Sequence, residues 1–169
     1  RYIEQAGRKA VMLPGNLEDE RFNADMVRKA HQELGGLDIL ALIAGRQIAL
    51  ESIGEISTEQ LREVFSINVF SLFWTVKAAL PLLSGGASII TTSSIEAYDP
   101  SETLIDSSTT KGAIKTFPVA LAAQLAPKGL RVNSVAPGPV WPAPPVTGRP
   151  LREALPALCP SVPLHPAGP

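Results

Sequence analysis

The chain has 169 residues, a length typical of one domain, and its formal net charge of −1 with a pI near 6.2 argues against nucleic acid or anionic membranes as partners. Hydrophobic residues make up 45% of the sequence and charged residues 18%, which favours a globular core over a disordered chain. The single cysteine, Cys159, excludes an internal disulfide, and no apolar run approaches the roughly 20 residues of a membrane span, so we expect a cytoplasmic protein outside the membrane.

The first half of the chain predicts strands that alternate with helices. A short strand is expected at 9–13, and a helix from about 19 to 34 that ends at a Gly-Gly pair. The nearly continuous apolar run 37–44 predicts a strand buried on both faces. The capping-box pattern of Ser57 and Gln60 opens a helix that continues to about residue 83, with a break near Asn68.

The second half continues the alternation. A strand at 87–92, a helix at 106–126 and a strand at 130–136 are expected, and the interior Pro118 predicts a kink or an interruption of that helix. Residues 142–169 form a proline-rich segment without reliable periodicity. The whole pattern predicts an α/β fold, a doubly wound parallel sheet flanked by helices.

Ligands of such sheets bind where the strands end. Four ends should therefore meet at one rim: Asn16, Ala44-Gly45, Ser93-Ser94 and Pro137-Gly138. A hydroxyl at a strand end can hold a substrate oxygen, and the ammonium of Lys111 on the facing helix can lower the pKa of a proton donor. The two histidines fit no metal-ligand spacing, and no metal site is predicted.

The segment 88–111 resembles the active-site segment of the short-chain dehydrogenase/reductases. The resemblance assigns Ser94 to the serine that bonds the substrate oxygen, and Lys111 to the lysine that holds the nicotinamide ribose and lowers the pKa of the catalytic tyrosine. It assigns Asn68 to the asparagine that kinks the preceding helix and holds a water of the proton relay. The family's tyrosine, four residues before the lysine, is replaced here by Ser107, so we expect a large loss of rate.

The resemblance also implies NAD or NADP as cofactor. Asn16 and Leu17 correspond to the residues beside the adenine, although for Asn16 a plain turn residue is an equal alternative. Ala44 and Gly45 match the end of the family's Asn-Asn-Ala-Gly motif, and Pro137-Gly138 matches the turn beside the nicotinamide.

Two features of the family are missing from the sequence, namely the Gly-rich loop and the first two strands of the sheet. No G-x-G-x-x-G loop, which binds the pyrophosphate, occurs in the sequence. We therefore expect residues 1–141 to form an incomplete Rossmann-like domain without the family's first two strands. The strand at 9–13 then has no partner and the strand at 37–43 exposes an apolar edge, which makes the chain marginally stable.

Two functions remain open. The chain is either an oxidoreductase that transfers hydride between NAD(P) and a carbonyl/alcohol substrate with impaired rate, or a non-catalytic remnant that acts only through oligomer contacts. In the family, the helices that correspond to 59–83 and 106–126 form the homo-oligomer interface. Tyr98, in the loop after Ser94, is a candidate substitute for the missing proton donor, but packing on the rim is the favoured interpretation.

Overall fold

The computed structural model describes residues 2–138, so Trp141 and the proline-rich segment 142–169 lie outside the described residues. The five α-helices are α1 (Tyr2–Gln5), α2 (Glu20–Leu34), α3 (Thr58–Phe65), α4 (Ser71–Ala79) and α5 (Ile105–Leu125). The three strands are β1 (Leu37–Leu42), β2 (Leu83–Thr92) and β3 (Arg131–Val135). A π-helical turn at Ser66–Phe70 joins α3 to α4, and a 3₁₀ turn at Ile95–Ala97 follows β2.

The sheet has the order β1-β2-β3, and both pairings are parallel. Ile89 in the central strand is opposite Leu40 on one side and Val132 on the other. The predicted parallel sheet flanked by helices is therefore confirmed. β1 forms an edge, because no other strand among residues 2–138 pairs with its outer side.

The strand expected at 9–13 is wrong, since residues 8–16 carry no strand in the structure. A strand exists only where a neighbour supplies the other half of the hydrogen-bond ladder, and no strand within residues 2–138 pairs with this segment. Lys9 is held instead by a side chain at the end of α2, where its Nζ donates to Glu33 Oε2 at 2.9 Å.

The hydrophobic core lies between one face of the sheet and the helices. Ile89 is fully buried in one cluster with Val76 of α4 and Leu125 of α5. Leu40 and Val132, the neighbours of Ile89 in the sheet, pack against the same cluster. These residues come from all three strands, so a single core positions every strand end that borders the candidate site.

Apolar residues remain exposed on the other side of the same strands. Ile39 and Val135 alternate with the core-facing residues of β1 and β3, and both are exposed, as is Ile43 just after β1. These side chains lie on a face of the sheet, in addition to the unpaired edge of β1 that was expected at 37–43.

Pro118 does not interrupt its helix, because α5 is continuous from Ile105 to Leu125. The expected interruption is therefore wrong. Pro118 is itself buried, as are Leu121 and Leu125 further along the helix. We attribute the continuity to this packing, which offsets the backbone hydrogen bond that proline cannot make, a loss of about 3 kcal/mol in an isolated helix.

One helical run in the described part of the chain is long and apolar enough to cross a membrane by length and composition alone. It is the helical run Thr58–Leu82, which has 25 residues and a mean hydropathy of 1.4 over its most apolar window. Val64, Leu72 and Val76 in this run are buried within the protein. Packing in the core accounts for these residues, whereas Phe70 and Phe73 of the same run remain exposed.

Candidate active site

Lys111 lies in the second turn of α5, facing the end of β2. Its Nζ donates to the backbone oxygen of Thr92, the last residue of the strand, at 3.0 Å. Burial lowers the pKa of the Lys111 ammonium, because a buried site disfavours the charged form. The hydroxyl of Ser93 donates to the backbone oxygen of Lys111 at 2.9 Å. The end of β2 and α5 are thus joined by two hydrogen bonds, one donated from each side.

Asn68 lies in the π-helical turn Ser66–Phe70, which confirms the break predicted near this residue. The residue is 2% exposed, and both atoms of its amide have hydrogen-bond partners, with one lone pair of Oδ1 left over. Oδ1 accepts from the backbone N–H of Arg46 at 2.7 Å, and Nδ2 donates to the backbone oxygen of Arg46 and to Thr110 Oγ1, both at 2.9 Å. The turn therefore binds the loop after β1 on one side and α5 on the other.

Gly45 lies beside the side chains of both Asn68 and Lys111. A methyl group placed on Gly45 would lie 3.5 Å from Asn68 Oδ1 and 3.6 Å from Lys111 Nζ. The structure thus brings Gly45, Asn68 and Lys111 to one point at the carboxyl ends of β1 and β2. A side chain at position 45 would occupy the space that these polar atoms face.

Ser94 begins the 3₁₀ turn Ile95–Ala97 and caps it. Its Oγ accepts from the backbone N–H of Glu96 at 3.2 Å, and the residue is half-buried. The turn lies beside the end of β3, because the backbone N–H of Ile95 donates to the oxygen of Pro137 at 3.0 Å. Ser94 and the Pro137-Gly138 turn are therefore neighbours, as their predicted places at one rim require.

Ser107 lies in the first turn of α5 and is only 2% exposed. Its backbone N–H donates to Asp106 Oδ1 at 2.6 Å, and its backbone oxygen accepts from Thr110 Oγ1 at 2.6 Å. Its hydroxyl has no hydrogen-bond partner within residues 2–138. The side chain at the tyrosine position is thus short, buried and unconnected to the polar groups around Lys111.

The structure places Asn16 and Leu17 in different surroundings. The side chain of Asn16 is exposed and closes a turn, with Oδ1 accepting from the backbone N–H of Glu18 at 3.0 Å. The structure therefore shows the turn role of Asn16. Leu17 lines a cleft of about 250 Å³ together with Ala44, Asn68 and Thr92. Leu17 and Ala44 thus share one cleft at the strand ends.

Tyr98 is 62% exposed and lies outside this cleft. The ammonium of Lys115 stands 3.9 Å from the centre of its ring, a cation–π contact with the next turn of α5 after Lys111. The structure agrees with the interpretation that Tyr98 packs on the rim.

Sequence reasoning missed several buried polar residues that hold the site together. Asn23 of α2 is fully buried and accepts from Thr75 of α4 at 2.9 Å, and Asp106 accepts from Gln60 of α3 at 2.8 Å. A signal existed for Asn23, which lies four residues before the buried Val27 on the same helical face. The local sequence does not indicate the partners of Asn23 and Asp106, which lie 52 and 46 residues away in the chain.

Comparison with known proteins agrees with this arrangement. The family model of the short chain dehydrogenases matches residues 1–145. The uncharacterized oxidoreductases YhxD of Bacillus subtilis and YghA of Escherichia coli are 54% and 51% identical to the chain, and each alignment covers 98% of this chain and 56% of the relative. The chain therefore spans about half the length of these curated relatives.

Solved structures show the same fold. A short chain dehydrogenase from Burkholderia cenocepacia, in complex with NADP, superposes with a TM-score of 0.81 at 27% identity, over 87% of this chain and 61% of that one. A dehydrogenase/reductase from Sinorhizobium meliloti gives a TM-score of 0.79 at 32% identity, over 83% of this chain and 56% of that one. With its parallel sheet, its lysine and asparagine at the strand ends and these matches, the chain belongs to the short-chain dehydrogenase/reductase family.

Proposed function

We propose that the chain is an oxidoreductase that transfers hydride between NAD(P) and a carbonyl/alcohol substrate, and that its rate is impaired by the serine at position 107. The observation that carries the proposal is that Asn68 Oδ1 and Lys111 Nζ both lie beside Gly45. An ammonium and a fixed amide oxygen at the ends of two parallel strands are suited to hold hydroxyl groups of a sugar and a substrate.

The residues present fit the nicotinamide end of the cofactor. Lys111 supplies a partly buried ammonium for the ribose hydroxyls, and Gly45 leaves open space beside it. The sequence offers no Gly-rich loop for the pyrophosphate, so we expect weak affinity. When bound, the nicotinamide supplies or accepts the hydride.

The chain's own residues have separate tasks in this proposal. Ser94 donates its hydroxyl to the substrate oxygen and fixes the carbonyl. Lys111 holds the ribose, and its ammonium favours the anionic form of any proton donor nearby. Asn68 bonds to both Arg46 and Thr110, and it thereby holds the loop that carries Gly45 next to α5. Position 107 lacks a phenol, so the proton transfer to the substrate oxygen is the slow step.

Cofactor binding tests the proposal directly. We expect NADH or NADPH to bind the purified chain weakly in calorimetry, and Lys111→Met to weaken that binding by about tenfold, because a charge-assisted hydrogen bond is lost. Lys115→Met is the matched control, since Lys115 lies one turn further along α5 and contacts Tyr98 instead. Equal binding by all three proteins, or binding by none, would contradict the proposed role of this site.

A second candidate is the non-catalytic remnant that acts through oligomer contacts. The observation in its favour is an exposed apolar side chain on α4, Phe73, which is 53% exposed. Phe73 packs edge-on against Phe117 of α5, with ring centres 4.6 Å apart, so these two rings form an aromatic surface shared by both helices. We propose that this surface, within 59–83 and 106–126, joins copies of the chain whether or not they turn over substrate.

We expect Phe73→Glu to shift the chain from an oligomer to a monomer in sedimentation, because it places a charge in the centre of the apolar surface. Ile53→Glu is the control, since Ile53 is equally apolar and exposed but lies in a separate 3₁₀ turn. A wild-type chain that sediments as a monomer would remove the oligomer proposal.

A further inference from the structure

We propose that Glu96 is a positioning residue for Ser94: its backbone turns the Ser94 hydroxyl toward the substrate, and its carboxylate fastens the turn that carries Ser94 to α5. The inference rests on the function proposed above, in which Ser94 holds the substrate oxygen.

The backbone of Glu96 determines which way the Ser94 hydroxyl can act. The Glu96 N–H donates to Ser94 Oγ at 3.2 Å and so occupies one lone pair of that oxygen. A hydroxyl has one hydrogen and two lone pairs, and the hydrogen remains free for another acceptor. Ser94 is thereby prepared to donate to a carbonyl oxygen, which the proposed reaction requires.

The side chain of Glu96 fixes the position of the turn. Its Oε2 accepts from the backbone N–H of Ser101 at 2.7 Å and from the hydroxyl of Ser108 at 2.8 Å. Ser108 is buried in α5, directly after Ser107. One carboxylate oxygen therefore ties the Ser94 turn both to the following loop and to the helix that carries Lys111. Such charge-assisted bonds are about twice as strong as neutral ones.

The two ties between β2 and α5 have different tasks. Ser93 and Thr92 bond to Lys111, and these bonds do not involve the Ser94 turn. The Glu96–Ser108 bond holds the turn itself. Loss of the Glu96 carboxylate should therefore disturb the substrate oxygen position and leave the Lys111 position unchanged.

Amide hydrogen exchange, measured by NMR on the chain as it is, gives a readout independent of activity. We expect the backbone amide at position 96 to exchange about tenfold faster in Glu96→Ala than in the wild type, because the turn is released from α5. Glu96→Gln keeps an oxygen acceptor and should remain close to wild type. If Glu96→Ala does not fold, Ser108→Ala removes the same link and should accelerate the same amide. Unchanged exchange in the folded variant would overturn the proposal.

The second measurement is steady-state kinetics, with the Glu96 substitutions introduced into the Ser107→Tyr variant. With hexanal as substrate, Glu96→Ala should raise KM about tenfold, Glu96→Gln should restore it, and the Kd of NADPH should stay constant. An unchanged KM, or a parallel loss of NADPH binding, would contradict a role through Ser94. If the Ser107→Tyr parent shows no turnover, the oxidoreductase proposal fails, and the exchange rates still decide whether Glu96 holds the Ser94 turn.

Discussion

Ser107→Tyr is expected to raise carbonyl turnover by about 10²- to 10⁴-fold, the usual contribution of a positioned general acid. Position 107 lies one helical turn before Lys111, so both side chains project from the same face of α5. A phenol ionises near pH 10, far more readily than an aliphatic alcohol, and a neighbouring ammonium lowers its pKa further. The measurement is NAD(P)H oxidation with a panel of aldehydes and ketones.

Ser107→Phe is the matched control for this gain. It introduces the same ring without the hydroxyl, and should leave turnover at the level of the unmodified chain. Because Ser107 is buried, both rings must displace neighbours at a cost of about 1–3 kcal/mol, and unfolding should be followed alongside activity. Measurable turnover at the same rate by the unmodified chain and Ser107→Tyr would mean that another group donates the proton, and Tyr98 would be the first to replace.

Asn68→Ala is expected to lower the free energy of unfolding by about 2–4 kcal/mol, because it leaves the backbone N–H and oxygen of Arg46 and the Thr110 hydroxyl without their partner. Urea unfolding measures this loss. Thr110→Val removes one of these three bonds together with the bond from Thr110 Oγ1 to the oxygen of Ser107, and should cost about 1–2 kcal/mol.

Asn16→Ala is the control for the asparagine itself. Asn16 is exposed and bonds only within its own turn, so we expect a change of less than about 0.5 kcal/mol, as for most surface substitutions. If Asn68→Ala were no more destabilising than Asn16→Ala, the bonds around Asn68 would not hold the loop of Gly45 to α5.

The helices could be predicted from the sequence because their signals are local. Ser57 caps α3 by accepting from the Gln60 backbone N–H at 3.1 Å, and Gly35 ends α2 with a φ of +82°. The strand at 9–13 could not be judged in this way, since a strand depends on a partner elsewhere. The interruption expected at Pro118 was wrong for a related reason, because the burial of Pro118 in α5 depends on the tertiary packing around it.

The candidate site could be predicted in part. The family resemblance indicated Gly45, Asn68 and Lys111, and the structure brings them together. The carboxylate of Glu96 was missed, because nothing in its local sequence says that it reaches Ser108 across the loop. The resemblance identifies the residues placed at the reaction, whereas the residues that hold them depend on bonds between distant segments.

The π-helical turn Ser66–Phe70 determines how the buried face of α4 is rotated about the helix axis relative to that of α3. A π-turn accommodates one more residue than a regular α-helical turn. Deleting one residue there would rotate everything on one side of the turn by about 100° relative to the other. Val64 before the turn and Val76 after it could then no longer both face the core, where both are now buried. The extra residue therefore allows the apolar faces of both α3 and α4 to be buried. It also places Asn68 at the carboxyl ends of the strands.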